Sequence, residues 1–131
     1  MTCSPYIFFD GNCKEVLEFY ASVFRLEVPE TVPYSTIPDM PTEYADRVLH
    51  ATLPIAGGQI MFSDGPPGFV VAKGNNVAIC LALKDKEEIK RIYNELSEDG
   101  EILHPLGQTF FSELYCMFDD RFGIKWQLTM E

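Results

Sequence analysis

Tyr6-Ile7-Phe8-Phe9-Asp10-Gly11-Asn12, followed by Cys13 to Phe24, is the stretch that decides the fold of this chain. An apolar, aromatic strand over residues 5–10 stops at Asp10-Gly11, and an amphipathic helix begins at once. Asn12 suits the N-cap, and Glu15 three positions later completes a capping-box-like pair. Val16, Leu17, Tyr20 and Phe24 then fall on one helical face. A weaker copy returns further along. Val77-Ala78-Ile79-Cys80-Leu81-Ala82-Leu83 is another apolar strand, and Asp85 opens a helix with Ile89, Ile92, Tyr93 and Leu96 on its buried face. Two strand–helix units in one chain predict a duplicated module.

The strands behind each helix repeat the order. In the first half, residues 27–34 carry two prolines and read as an edge strand at best. Residues 35–45 read as a loop. Arg47 to Leu53 alternates, with Val48, His50 and Thr52 on one face and Leu49, Ala51 and Leu53 on the other. Ala56-Gly57-Gly58 is a hairpin turn, and Gln59 to Ser63 is the returning strand. Asp64-Gly65-Pro66-Pro67-Gly68 breaks it, and a mobile segment to Asn76 joins the modules. In the second half, strand 76–83 leads to helix 85–98, ended by Asp99-Gly100. A short strand at 101–105, a turn at 105–108, a long strand at 110–118, a turn at 119–123 and a last strand at 124–130 follow. The fold class is α+β: two β-α-β-β-β modules, about 5–64 and 76–130, inside one 131-residue domain, and two such copies can curve around a shared pocket.

Composition narrows the function. With 47% hydrophobic and 13% aromatic residues the chain can bury a core. A formal net charge of −10 argues against nucleic acid and anionic membranes as partners. No apolar run is long enough to span a bilayer, and the N-terminus has no secretory pattern. The cysteines, Cys3, Cys13, Cys80 and Cys116, form no C-x-x-C pair, and a reducing cytoplasm is the simplest compartment. Cys80 and Cys116 lie in apolar strands and read as buried. Cys13, near a helix start, gains acidity from that position and loses it to Glu15 and the overall charge, so it reads as inert. Ser63 and Ser112 lack a nucleophile-elbow signature.

The chain resembles the vicinal oxygen chelate superfamily, also called glyoxalase/bleomycin-resistance-like, and within it the PhnB-like proteins. The residues that carry the resemblance are Tyr6 to Asn12 with Glu18-Phe19-Tyr20; Arg47-Val48-Leu49-His50-Ala51; Met61-Phe62-Ser63-Asp64; Gly74-Asn75-Asn76-Val77; and Asp119 to Trp126. The resemblance implies that the two modules form a curved mixed sheet with a concave pocket for a small organic ligand, in a homodimer. Proteins of this group often carry a name related to 3-demethylubiquinone 3-methyltransferase. No Gly-rich loop follows a strand and opens a helix here, so methyl transfer is not inferred. The resemblance also implies four metal-ligand positions, near Pro5, within Val77–Ile79, at Met61 and at Gln127. Of these only Gln127 offers a suitable donor, so neither a metal nor another cofactor is expected.

The candidate pocket residues are Phe8, His50, Met61, Glu113, Tyr115 and Gln127. His50 can act as acid, base or hydrogen-bond partner near neutral pH, or be a satisfied structural histidine. Glu113 shares a strand face with Tyr115 and Met117, where a carboxylate can orient a cation or take a proton; otherwise it is a solvated strand-end residue. Phe8, Met61, Phe110 and Trp126 read as core or as pocket lining. His104, before Pro105, reads as a surface-loop residue. No catalytic residue is fixed, with His50 and Glu113 the candidates. Three functions compete: a non-catalytic small-molecule binder, a metal-free acid–base enzyme, and a metal-dependent lyase or dioxygenase with displaced ligands.

Overall fold

The computed structural model describes residues 1–131, and the strand order it gives is the same in both halves. The first half comprises β1 (Tyr6–Phe9), α1 (Cys13–Val23), β2 (Val32–Pro33), β3 (Val48–Ile55) and β4 (Gly58–Asp64). The second comprises β5 (Ile79–Leu83), α2 (Lys86–Leu96), β6 (Glu101–Gly107), β7 (Tyr115–Asp119) and β8 (Lys125–Met130). The sheets run β1-β4-β3-β2 and β5-β8-β7-β6. In each, the first strand pairs in parallel with the last, and the remaining pairings are antiparallel. The fold is thus α+β, made of two β-α-β-β-β modules. Contacts divide the chain into two units, Met1–Ala72 and Lys73–Glu131.

Each unit has its own core. In the first, Val16, Leu17 and Tyr20 of α1 are buried with Ala51 and Leu53 of β3 and Ile60 and Phe62 of β4. The Tyr20 and Phe62 rings lie 5.9 Å apart, which marks the helix-covered face of the sheet. In the second, Ile89, Ile92 and Leu96 of α2 are buried, as are Leu81, Cys116, Phe118, Trp126 and Leu128. Tyr93 meets Phe118 edge-to-face at 6.0 Å. The period-2 alternation of the strands leaves the opposite face of each sheet open.

The N-terminus of α1 is held differently from the expectation. The Asn12 side chain makes no capping bond. Asp64, at the end of β4, holds this turn instead: Oδ1 accepts from the backbone N–H of Gly11 (2.9 Å) and Cys13 (3.0 Å), and Oδ2 accepts from Val48 N–H at 2.9 Å. A remote carboxylate thus takes the first helical N–H, that of Cys13, together with the N–H of Gly11 just before the helix. α2 follows the local rule, with Asp85 Oδ1 accepting from Glu87 N–H at 2.9 Å.

Other expectations shift at the strands. Of residues 27–34 only Val32 and Pro33 pair, against His50 and Val48. The loop beyond them contains two single 3-10 turns, Tyr34–Thr36 and Thr42–Tyr44. β5 starts at Ile79 rather than at residue 76. Pro105–Gly107 belongs to β6 rather than to a turn, because irregular register lets a proline sit on this edge strand. The long strand expected at 110–118 is confined to Tyr115–Asp119. Ser112 organises the segment before it: its Oγ accepts from Thr129 Oγ1 at 2.9 Å and donates to Leu114 O at 2.9 Å. Those bonds turn the backbone out of the ladder. Phe110 is fully exposed, neither core nor lining, whereas Trp126 is core, its Nε1–H donating to buried Asp120 at 2.9 Å.

Candidate functional site

On the open face of the first sheet, β1 and β3 place Tyr6, Phe8, His50 and Thr52 around Met61 of β4. The register sets this arrangement, since Met61 pairs with Tyr6 on one side and with Thr52 on the other. Tyr6 and Phe8, two residues apart in a strand, point the same way, and their rings stack at 5.1 Å. The Phe69 ring lies 5.2 Å from Phe8. These aromatics remain open to solvent: Tyr6 is 40%, Phe8 39% and Phe69 48% exposed.

His50 is the polar centre of this face. Its Nδ1 lies 3.0 Å from the Tyr6 hydroxyl and its Nε2 lies 3.2 Å from Thr52 Oγ1. A neutral imidazole has one donor and one acceptor nitrogen, so one hydroxyl donates to the ring and the other accepts from it. Partial burial raises the pKa of Tyr6 above its ordinary value of 10.0, so the phenol keeps its proton at neutral pH. The result is a hydroxyl–imidazole–hydroxyl chain set among exposed rings. It can exchange hydrogen bonds with a ligand's carbonyl or hydroxyl while the rings cover apolar surface.

The remaining candidates are elsewhere. Glu113 lies outside β7, is well exposed, and pairs with Lys86 of α2 at 3.2 Å. Its expected strand-face alignment with Tyr115 fails because the strand begins two residues later. Tyr115 and Gln127 are on the open face of the second sheet, where Gln127 Nε2 donates to Met117 Sδ at 3.6 Å. Burial raises the pKa of Tyr115. His104 lies in β6 rather than in a loop; its Nδ1 is 2.9 Å from Pro105 O and its ring meets Tyr115 edge-on at 5.2 Å.

Cys13 is fully buried, and its thiol pKa is pushed up to about 12 by desolvation and by the Asp64 carboxylate. Burial pushes Cys116 up to about 11. Both stay protonated and are poor nucleophiles, whatever a helix N-terminus contributes at Cys13. Cys80 is exposed on the open face of its sheet, not buried as its apolar strand suggests, because it alternates with buried Leu81.

The metal positions implied by the fold family do not fit an ion here. Met61 offers only a thioether, and no group of three or more His, Cys, Asp or Glu side chains converges in a way that could hold one.

Tyr6 and Thr52 were within reach of sequence reasoning. Each lies two residues from a chosen candidate on the same strand, and strand parity puts them on the same face. Phe69 follows a Pro-Pro-Gly turn, and only the three-dimensional course of that turn brings it back over Phe8.

Comparison with known proteins agrees with the duplicated topology. The sequence profile of the family described as 3-demethylubiquinone-9 3-methyltransferase matches residues 1–129. The chain is 26% identical to Protein YjdN of Escherichia coli K12, covering 99% of this chain and 95% of that protein. The crystal structure of protein PA1353 from Pseudomonas aeruginosa superimposes with a TM-score of 0.88 at 32% identity, covering 100% of this chain and 98% of the other. A putative 3-demethylubiquinone-9 3-methyltransferase, PhnB protein, from Bacillus cereus does so with a TM-score of 0.80 at 27% identity, each chain covered fully at 100%. With its twice-repeated β-α-β-β-β order, the chain belongs to the 3-demethylubiquinone-9 3-methyltransferase family, the PhnB-like members of the glyoxalase, or vicinal oxygen chelate, superfamily.

Proposed function

We propose that the protein binds a small organic molecule against the open aromatic face of its first sheet, without a metal ion. The observation that carries this reading is the Tyr6–His50–Thr52 hydrogen-bond chain at 3.0 and 3.2 Å, set beside half-exposed Phe8. Exposed rings beside an oriented polar group are the usual furniture of a ligand site, and a buried structural histidine needs no such open rings. The family's descriptive name does not extend to methyl transfer here, for the sequence has no Gly-rich strand-to-helix loop to hold a methyl donor.

The test is a thermal-shift screen of small organic molecules, followed by calorimetric titration of the hits. His50→Ala frees the Tyr6 and Thr52 hydroxyls that His50 orients and weakens the cognate ligand by roughly 1–3 kcal/mol, the range for a hydrogen bond to the ligand lost with that orientation, with the melting temperature of the free protein little changed. Unchanged affinity returns His50 to a structural role. A second reading, acid–base catalysis without metal, draws on the same chain, because a hydroxyl on each ring nitrogen can carry a proton through the imidazole. Turnover of a screened ligand that is lost in His50→Ala and reduced in Tyr6→Phe selects it.

The same reading makes the protein a cytoplasmic homodimer. All four cysteines are free, as a reducing compartment keeps them. Edge strand β6 leaves Ile102 and Leu103 exposed at 42% and 40%, apolar surface that a second copy can cover. Sedimentation at tens of micromolar protein gives a dimer on this account, and a monomer there contradicts it.

A further inference from the structure

We propose that Phe69 is the specificity-determining residue of the open face: its ring holds the place of a ligand's ring, so the site selects flat aromatic ligands that stack on Phe8. The inference rests on the reading of that face as the binding site.

Phe69 is delivered by a built turn. Its backbone N–H donates to Pro66 O at 2.9 Å, and Gly68 between them has φ +82°, the left-handed conformation of the third position of a type II turn. The start of the turn is anchored to the sheet, since Gly65 N–H donates to Phe9 O at 2.8 Å. Gly65 is the seat of the ring. A Cβ there would lie 2.7 Å from Phe69 Cδ1, closer than real contacts allow, so only glycine lets the ring lie down where it does. From that seat the ring meets Phe8 at 5.2 Å with a 37° tilt.

The contact is nevertheless incomplete. Phe69 stays 48% exposed, and no side-chain hydrogen bond can hold a phenyl ring in place. Rotation about its side-chain bonds releases the ring without disturbing the ladder beneath it. An aromatic pair of this kind amounts to roughly 3- to 10-fold in an equilibrium constant, small enough for a ligand to overcome and large enough to discriminate. A ligand ring that displaces Phe69 recovers the stacking on Phe8, whereas a saturated group of equal size does not. Its hydroxyl or carbonyl then falls toward Tyr6 and His50.

The test uses the full chain and N-phenyl-1-naphthylamine, a neutral aromatic probe whose fluorescence reports binding. Competitors are 2-naphthalenemethanol and its saturated decahydro counterpart. Phe69→Ala removes the competing ring and tightens the probe by roughly 3- to 10-fold. Gly65→Ala, which keeps the ring but evicts it from its seat, shifts affinity in the same direction. The aromatic competitor displaces the probe better than the saturated one. Weaker or unchanged probe binding in Phe69→Ala, with the fold intact by circular dichroism, overturns the role of Phe69. Phe8→Ala separates the two levels: if it abolishes binding while Phe69→Ala has no effect, only the Phe69 proposal fails. If Phe8→Ala has no effect, the open-face reading fails with it.

Discussion

Asp64 carries more of the first unit than its sequence setting suggests. Read along the chain, Asp64-Gly65-Pro66-Pro67 is a strand breaker, and it does end β4. Its side chain, in a residue only 1% exposed, also gathers three backbone N–H groups from the β1–α1 turn and β3. Its backbone oxygen accepts from the Tyr34 hydroxyl at 2.6 Å. A carboxylate with both oxygens so engaged cannot be replaced by an amide without turning a donor toward a donor. Asp64→Asn therefore costs about 3 kcal/mol in urea unfolding. Asp85→Asn, at the exposed cap of α2, costs less than about 0.5 kcal/mol, since either residue caps well. Equal losses at the two positions would contradict this hub. The capping pair Asn12 and Glu15 is a good local signal that tertiary structure overrides. A buried carboxylate arriving from 51 residues away in sequence leaves no local trace. For His50, alternation places it on one strand face with Val48 and Thr52 but leaves undecided which face stays open, and Val48 is in fact fully buried.

At the scale of elements, the turns separate into those set by backbone conformation and those set by space. The β3–β4 hairpin turns on Ala56 and Gly57 at φ 50° and 79°, both left-handed, as a two-residue turn between twisted strands requires. Nothing lies near a Cβ at Gly57, so Gly57→Ala meets only backbone strain, about 1 kcal/mol. Gly100 is the opposite case. A Cβ there would run into the backbone of Asp119 and Asp120, where β6 leaves α2 and passes the end of β7. Gly100→Ala costs about 3 kcal/mol by overpacking, and denaturant midpoints rank it below Gly57→Ala. The reverse ranking would contradict the close approach. Periodicity located both helices and six of the eight strands with modest end shifts. It failed over residues 110–114, where Phe110 and Phe111 imitate a strand. Side-chain bonds from Thr109 and Ser112 bend that segment instead. It also gave too long a β2, where two prolines cut the pairing to Val32–Pro33.

For the whole molecule, the repeated strand order gives two sheets, each with a helix-covered face and an open one. The two open faces differ in chemistry. That of the first unit brings together rings and a hydroxyl–imidazole chain, whereas that of the second carries Gln127, Met117 and a close Lys125–Asp119 ion pair at 2.7 Å. No helix is long and apolar enough to cross a membrane, and the net charge of −10 disfavours anionic polymers as ligands. Ligand identity was not legible in the sequence, because shape and polarity at an open sheet face depend on which strands become neighbours. The claim that the first unit's open face binds the ligand is tested most directly by chemical-shift mapping. Isotope-labelled protein is titrated with small aromatic alcohols and the perturbed amides and methyl groups are located. The account predicts that the shifts concentrate at Tyr6, Phe8, His50, Thr52 and Met61, and that they persist in the presence of a metal chelator. Shifts centred on Phe110 and Phe111, or shifts abolished by the chelator, would contradict it.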